Sequence, residues 1–228
     1  VVEGHMLNEY RYRSVYKGNG KYFNADGSVN PAGGPKGGMI RTEEDMNWVK
    51  AMMDAGYKFK PGNSIGKANI YYGDYIYADV NGDGVYGDSD DEEFQGRSKT
   101  PKYNFGFQAS AAWNGFDISM VWAGAAGFDI YWGPTAGYNA AKTEWGNNIA
   151  QRIADDHYFY DPSNPDDPRT NINGKYPRMT YLDGNVQNNA SSNRWLYNGD
   201  YIKLKNLSLG YTLPQKWTRK FMIDRIRL

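Results

Sequence analysis

Residues 103–124 of this 228-residue chain, YNFGFQASAAW-NG-FDISMVWAG, carry its clearest structural pattern. Over residues 103–113 aromatic and other apolar side chains occupy the odd positions, whereas small or polar residues occupy the even ones. This period-two alternation predicts a β-strand with one apolar face. Asn114-Gly115 accepts the positive φ angles of a two-residue hairpin turn. Because the alternation resumes in residues 116–124, the sequence predicts two long antiparallel strands joined by a tight turn.

A third strand is predicted over residues 201–213. Its second half alternates apolar with small polar residues, and the apolar ones are Leu207, Leu209, Tyr211 and Leu213. The residues in phase with them in the first half are Tyr201, Lys203 and Lys205. We therefore expect one face of this strand to change from charged to apolar, as in a strand that passes from water into lipid. Residues 223–228 are expected to begin the next strand.

One short amphipathic helix is predicted between Thr42 and Gly56. Thr42 has the character of an N-cap, because three acidic residues follow it in the first turn. Apolar residues then recur at helical spacing, and they are Met46, Val49, Met52 and Met53. We expect this methionine-rich face to pack against its own domain.

The rest of the sequence is rich in Gly, Asn, Asp and Pro, which predicts long loops before residue 101 and from 128 to 200. A connection longer than 70 residues between strands is abnormal in a compact soluble sheet. Short turns on one side and long loops on the other are the rule in outer-membrane barrels. A water-soluble β-sandwich, with its apolar face turned inward, stays open as an alternative. The small, uncharged residues on the polar faces favour the barrel.

Composition excludes several classes of protein. Lys plus Arg and Asp plus Glu number 26 each, so a general polyanion binder is not expected, and neither is a nucleic-acid partner. There are no cysteines, hence no disulfides or thiolate metal sites. No apolar run approaches the roughly 20 residues of a transmembrane helix. Because no signal peptide opens the chain and Val1 is not a natural start, we expect an internal piece of a longer protein.

Aromatic residues carry an unusual share of the apolar surface. Phe, Trp and Tyr number 9, 7 and 20, whereas Ile, Leu and Val number 12, 8 and 9. A soluble domain of this length normally fills its core with branched aliphatic residues. The composition therefore indicates that apolar side chains serve some other surface as well.

The segment DVNGDGVYGDSD, residues 79–90, follows the spacing of a calcium-binding loop. Ca²⁺ needs six to eight hard oxygen ligands around one point, and the glycine at position 6 permits the turn that gathers them. The predicted ligands are Asp79, Asn81, Asp83, the carbonyl of Val85, and Asp90. The alternative is an acidic turn whose side chains cap their own backbone. A calcium ion here would stabilise a loop and perform no catalysis.

Enzymatic activity finds no support in the sequence. His5 and His157 lie in unrelated segments of the sequence. The sequence contains no zinc-protease motif, nucleophile elbow or phosphate-binding glycine loop. Carboxylates are plentiful, but the sequence nominates none of them as a catalytic acid or base. We therefore expect a protein that is not an enzyme.

Four segments together resemble a known family. They are YADVNGDG (77–84), GRSKTPKYNFGF (96–107), YPRM (176–179) and WLYNGDYIKLKNLSLGYTLP (195–214). In order and spacing they are similar to the C-terminal barrel portion of SusC/RagA-type TonB-dependent transporters of Bacteroidetes. The likeness covers about residues 73–228 and is weaker before them. Lys203 stands where the family usually has Arg, and Tyr86 replaces a branched aliphatic residue.

The resemblance implies an all-β fold, part of a 22-stranded antiparallel transmembrane barrel with long extracellular loops and one short helix. Residues 103–125 would be a transmembrane hairpin and 201–213 a transmembrane strand. Residues 1–100 would form mainly extracellular loop, including the calcium-type loop 79–90, and residues 126–200 a second extracellular loop. Residues 214–228 would form a periplasmic turn and the start of the next strand.

The resemblance also implies a function and its partners. The family imports oligosaccharides or oligopeptides across the Gram-negative outer membrane, together with a SusD-like surface lipoprotein that acts as a lid. Import is powered through the TonB complex, and outer-membrane lipid surrounds the barrel. Loop aromatics are expected either to stack on ligands or to pack the loops, and the candidates are Trp132, Tyr138, Trp145 and Trp195. The alternatives left open are a secreted, calcium-stabilised carbohydrate-binding β-sandwich and a glycan hydrolase domain.

Overall fold

The structure is a computed structural model that describes residues 2–133, 149–179 and 186–228. Its strands are β1 Glu9–Arg13, β2 Lys58–Phe59, β3 Val85–Tyr86, β4 Glu92–Ser98, β5 Tyr103–Trp113, β6 Phe116–Ala126, β7 Asp129–Tyr131, β8 Leu196–Asn198 and β9 Tyr201–Tyr211. Its α-helices are α1 Glu43–Asp54, α2 Gln151–Asp155 and α3 Gln215–Thr218. In the described part of the chain, no helix has both the length and the apolar character needed to cross a bilayer.

The chain divides into two compact units. The first, here called the sheet unit, comprises Val1–Asn8, Arg97–Ile130 and Asn198–Leu228. The second, the core unit, comprises Glu9–Gly96 and Tyr131–Tyr197. Each unit is described separately below.

The sheet unit contains an antiparallel sheet of order β5-β6-β9. The hairpin predicted from the alternation is present, because Tyr103 pairs with Ala126 and Trp113 with Phe116 without interruption. The turn residues Asn114 and Gly115 have φ angles of 48° and 87°. These positive values are what an Asn-Gly turn supplies, so the register of the two strands follows from the local turn.

After β9 the chain turns back and begins to pair again. Helix α3 and a 3₁₀ turn, Arg219–Phe221, form the reversal. The backbone N–H of Tyr211 then donates to Leu228 O at 3.1 Å, and the N–H of Leu228 donates to Tyr211 O at 2.9 Å. The predicted start of a further strand in residues 223–228 therefore lies beside β9.

The core unit contains the predicted helix. Thr42 caps α1, because its hydroxyl accepts from the N–H of Asp45 while the Asp45 carboxylate accepts from the backbone of Thr42. This reciprocal arrangement satisfies two of the N–H groups that a helix start leaves free. The buried side of α1 includes Trp48 in addition to the predicted apolar positions Met46, Val49 and Met52.

The hydrophobic core lies almost entirely in the core unit. Helix α1 packs with aromatic residues of β2 and β3, which pair in parallel, and the central members are Trp48, Phe59 and Tyr86. Two further clusters form around Tyr77 and Tyr158, and around Ile153 and Trp195. Segments that the sequence predicts as loop therefore share a buried core of their own.

The predicted strand-rich fold is confirmed in its coarse form. Strand β1 lies within residues 9–16, where the sequence allows a strand. The structure adds elements that the sequence did not indicate, namely the short helices α2 and α3, strand β4 beside β1, and the small sheets β2-β3 and β7-β8. The described strands form open sheets, so the number of strands in a complete barrel stays a prediction.

Candidate functional site

One face of the sheet unit is apolar across all three strands. Residues directly opposite each other in the ladder share a face, which places the odd positions of β5 with the even positions of β6. Residues of this outer face are Tyr103, Phe105, Phe107, Trp113, Phe116, Ile118, Met120, Trp122, Leu207 and Leu209. The exposed fractions are 50% for Phe107, 79% for Trp113 and 69% for Leu209. Within the sheet unit, this outer face is left uncovered.

A β-bulge changes the face expected for the first half of β9. Val121 pairs with Asn206, but Trp122 pairs with Leu204, so Lys205 is an extra residue in the ladder. Beyond the bulge it is Leu204 and Ile202 that continue the outer face. The prediction that Tyr201, Lys203 and Lys205 lie in phase with the leucines was therefore wrong. The physical reason is that one inserted residue inverts the alternation of every residue beyond it.

The opposite, inner face is mainly polar or small, with Val121 and Tyr201 as its larger apolar members. It carries Asn104, Gln108 and Ser110 on β5, Asp117 and Ser119 on β6, and Asn206, Ser208 and Lys203 on β9. Near the hairpin, the Arg227 guanidinium pairs with the Asp117 carboxylate, with Nε donating to Oδ2 at 3.1 Å. The sheet therefore separates an apolar surface from a polar one, as the wall of a water-filled pore does.

The two ends of the sheet differ in their connections. At one end only the two-residue turn joins β5 to β6. At the other end the chain enters β5, leaves β6 and enters β9. The ends of β6 and β9 are joined there by a hydrogen bond, in which the Asp200 carboxylate accepts from the N–H of Gly127 at 2.7 Å. All the long segments of the chain therefore leave the sheet at the same end.

Two of the four predicted ligand-stacking aromatics lie in the described part of the core unit. Trp195 is only 1% exposed, with the guanidinium of Arg194 5.8 Å from its ring centroid. Trp132 has the guanidinium of Arg152 4.0 Å above its ring. Both rings thus have the contacts of the packing role that the sequence also allowed. Tyr138 and Trp145 lie outside the described residues, so ligand stacking by the four residues stays a prediction.

The predicted calcium loop is closed by its own backbone. The Asp79 carboxylate accepts from the N–H groups of Gly82 and Gly84, at 2.6 and 2.9 Å. Asn81 and Asp83 likewise accept from amides two residues ahead. These are the contacts of the acidic-turn alternative, yet each accepting oxygen keeps a second lone pair. The oxygen-rich donor set therefore suits the chemistry of Ca²⁺.

The end of the loop depends on a residue outside the predicted ligand set. Asp90 is exposed, whereas its neighbour Asp91 is fully buried. The Asp91 carboxylate accepts from the N–H of Val80 at 2.6 Å and from that of Gly87 at 2.7 Å. Over the described ranges, no three or more His, Cys, Asp or Glu residues are grouped so as to hold a metal ion. Calcium binding stays a prediction.

A buried polar network, which the sequence did not predict, braces the core unit. Arg178 of the YPRM segment donates from Nε to Asp74 Oδ1 at 2.6 Å and from Nη2 to Asp74 Oδ2 at 3.0 Å. Asn188 Nδ2 donates to Asp74 Oδ1 at 2.7 Å. Burial raises the pKa of Asp74 to about 6, although Arg178 acts in the opposite direction. The only signal in the sequence was the family likeness of the YPRM segment, which names no partner.

The comparisons with known proteins agree with the sequence motifs. No protein-family profile matches the chain. The TonB-dependent receptor P3 of Formosa agariphila is 27% identical over 173 residues, which are 76% of this chain and 15% of that protein. The predicted likeness to TonB-dependent receptors is therefore confirmed, and the chain spans about a seventh of the length of this curated relative.

Solved structures of a peptide importer show a partial likeness. The RagAB peptide transporter is 18% identical, with a TM-score of 0.48, over 75% of this chain and 17% of that chain. The RagAB importer in its closed-closed state is 20% identical, with a TM-score of 0.47, over the same shares. 

Proposed function

We propose that this chain forms part of the barrel wall and loops of an outer-membrane, TonB-dependent transporter. The transporter imports oligosaccharides or oligopeptides together with a SusD-like surface lipoprotein. The confirmed likeness to a TonB-dependent receptor supports the class. The geometry of the sheet unit supports a position in the membrane.

The single observation that carries this proposal is the uncovered apolar face of the sheet unit. Seven large apolar side chains on it are between 45% and 79% exposed: Tyr103, Phe105, Phe107, Trp113, Phe116, Leu207 and Leu209. Burying one such side chain is worth about 1.5–3 kcal/mol, so leaving seven of them half exposed forfeits on the order of 5–10 kcal/mol. That amount is comparable with the whole stability of a domain. Lipid tails remove this penalty.

The secreted β-sandwich receives less support from the structure. A sandwich needs a second sheet packed on the apolar face, about 10 Å away. In the sheet unit, all eleven residues of β5 are exposed. A strand with a solvated polar side and an uncovered apolar side suits a barrel wall between a lumen and lipid.

The topology supports an orientation in the membrane. Outer-membrane barrels have short periplasmic turns and long extracellular loops. The Asn114-Gly115 turn would then face the periplasm, and the segments that leave the opposite end would carry residues to the cell surface. Ligand would be captured between these loops and the lipoprotein lid. It would pass through the lumen once TonB acts on the plug, the N-terminal part that fills the barrel in the family that this chain resembles. The chain is proposed to perform no chemistry on the ligand.

Calcium is proposed as a structural ion in residues 79–90. Tyr86 at position 8 of the loop is buried and belongs to β3, which pairs with β2 beside the core. The loop is therefore tied to the core unit by packing, and an ion would stabilise its exposed part. Asp79, Asn81, Asp83, Val85 and Asp90 remain the proposed ligands.

Spin labels on neighbouring positions of β5 test the proposal. In the full-length protein, reconstituted in lipid with all other cysteines removed, Phe107→Cys and Gln108→Cys place labels on the outer and inner face. We expect the label at 107 to collide with oxygen, which concentrates in lipid, and the label at 108 with a water-soluble nickel complex. If both labels contact only the nickel complex, or if the protein is a monodisperse monomer in buffer without detergent, the proposal is wrong.

A further inference from the structure

A small aromatic recess lies within the core unit, and neither Trp132 nor Trp195 lines it. Its volume is about 220 Å³. Its lining includes Lys67, Tyr71, Tyr72, Tyr158, Tyr160, Asp161 and Arg178. Pockets for drug-sized ligands measure about 300–1,000 Å³, so this recess has room for a single ring rather than for a chain.

Perpendicular tyrosine rings form one wall of the recess. Tyr71 and Tyr72 meet edge to face, with ring centroids 5.4 Å apart. Tyr72 and Tyr160 meet in the same way at 5.5 Å and 75°. Among the described residues, no hydrogen bond engages the hydroxyls of these three tyrosines. The wall therefore offers both aromatic surface and hydroxyl groups that are available to a ligand.

The back of the recess is rigid. Arg178 Nη2 donates to the carbonyl of Lys67 at 2.5 Å, and the same guanidinium is held by buried Asp74. Tyr158 is buried, and its hydroxyl donates to the carbonyl of Arg41 at 2.9 Å. Arg178 and Tyr158 are thus fixed before any ligand arrives, which reduces the entropy cost of ordering side chains on binding.

Opposite charges complete the lining. The side chain of Lys67 is exposed. The Asp161 carboxylate accepts from the N–H and the hydroxyl of Ser163, at 2.9 and 2.7 Å, and both bonds end on Oδ1. In the described part of the chain, Oδ2 keeps its acceptor capacity. The recess therefore presents a strong donor, Lys67, a strong acceptor, Asp161, and phenol groups. The charges of Lys67 and Asp161 balance, and Arg178 is already paired with Asp74.

We propose that this recess binds one pyranose ring of a neutral oligosaccharide. A pyranose has an apolar C–H face for an aromatic ring and hydroxyls that both donate and accept hydrogen bonds. Those hydroxyls match Lys67, Asp161 and the tyrosines together. The inference rests on the proposed import function, since it names the ligand class that the extracellular part of the transporter recognises.

A peptide fits the same groups less well. An apolar side chain would remove the charged and phenolic groups from water without giving them partners, which costs free energy. A free peptide terminus carries one charge, whereas the recess presents a positive side chain, Lys67, and a negative one, Asp161. A terminus would therefore leave one of these two groups without a partner. A sugar ring leaves neither group unpaired, so the chemistry of the lining favours it.

Saturation-transfer NMR on the full-length protein in detergent tests the proposal. The probes are methyl pyranosides of glucose, galactose, mannose and xylose, with a tripeptide pool as the competing class. We expect transfer to at least one pyranoside, reduced by about threefold or more in Tyr160→Ala and in Lys67→Ala. Lys67→Ala keeps the test decisive if Tyr160→Ala fails to fold, because only the backbone carbonyl of Lys67 contacts Arg178.

Matched controls are available within the core unit. Tyr57→Ala removes a partly buried tyrosine, and Lys175→Ala removes an exposed lysine, both outside the recess. Neither should change the transfer. The proposal is overturned if no pyranoside receives saturation, if the recess variants behave like the controls, or if only the peptides respond in a Tyr160-dependent manner. The spin-label experiment reads membrane insertion independently, so failure here leaves the import proposal standing.

Discussion

Arg178 Nε lies 2.6 Å from Asp74 Oδ1, and the two residues are 104 positions apart in the chain. Both side chains are almost completely removed from water. Asp74 also accepts from the N–H of Tyr71 at 2.9 Å and from Asn188. One carboxylate therefore joins three segments of the core unit, and its hydrogen-bonding capacity is used in full.

We predict that Arg178→Met destabilises the core unit by about 3–5 kcal/mol, because it leaves the Asp74 carboxylate buried without a counter-charge. Hydrogen-exchange protection of the Tyr75 and Ile76 amides in the full-length protein measures the loss. Arg169→Met is the matched control, since Arg169 also pairs with an aspartate, Asp167, but is 74% exposed. Equal loss of protection in the two variants would contradict a special role for burial.

The raised pKa of Asp74 predicts a pH dependence of stability. The folded carboxyl, with a pKa of about 6, binds a proton more tightly than the unfolded one, whose pKa has the ordinary value of 3.8. Between these values the folded state holds more protons, so this group's contribution to stability is complete below about pH 4 and is lost as the pH rises through about 6.

Asp74→Asn tests this pH dependence, because the amide cannot titrate. Protection factors of the Tyr75 amide, corrected for intrinsic exchange, should fall between pH 4 and 6 in the wild-type protein relative to the variant. A difference between the two proteins that stays constant over this range would show that Asp74 keeps an ordinary pKa.

Gly73→Ala is predicted to destabilise the core unit more than Gly27→Ala does. Both glycines have a φ of +83°, so the backbone strain of the two alanines is similar. A Cβ at Gly73 would lie 2.4 Å from Tyr158 Cδ1 and 2.8 Å from Arg178 Cβ, whereas nothing lies within 4 Å of a Cβ at Gly27. We expect an additional cost of roughly 1–3 kcal/mol from the steric clash. Equal exchange protection in the two variants would argue against this packing.

Charge on the two faces of β9 should have unequal effects. Leu207→Lys places a charge on the outer face near the middle of the strand, at a cost of about 2–4 kcal/mol if lipid surrounds it. Ser208→Lys, one residue further, points to the inner face and should be tolerated. The yield of heat-modifiable, folded protein in outer membranes compares them. Equal yields would mean that water, not lipid, contacts Leu207.

Asp83→Ala is predicted to abolish calcium affinity while leaving the sheet unit folded. Asp83 is the proposed ligand at position 5 of the loop, and its Oδ1 also accepts from the N–H of Val85 at 2.8 Å. Calorimetric titration of the full-length protein with Ca²⁺ measures the affinity, and protease sensitivity near residues 79–92 should increase. Asp54→Ala, at the exposed end of α1, is the control. An unchanged titration curve for Asp83→Ala would remove calcium from the proposal.

The sequence determined those features that depend on neighbours in the chain. The alternation of residues 103–113, the Asn114-Gly115 turn and the capping of α1 by Thr42 and Asp45 each involve residues only a few positions apart. Such interactions form in the same way wherever the segment is placed, so local patterns predict them. The same local character revealed the calcium-type loop as a candidate, though not the burial of Asp91.

Which side chains of β9 lie on the apolar face depends on contacts between distant parts of the chain. The bulge at Lys205 depends on pairing with Val121 and Trp122 of β6, about 80 residues earlier, and it turns Leu204 outward and Lys203 inward. The partnership of Asp74 with Arg178 and the aromatic recess are equally non-local. The alternation of a strand shows that it has two faces. Its pairing with the neighbouring strand determines which residues lie on each face, because one unpaired residue inverts the alternation of every residue beyond it.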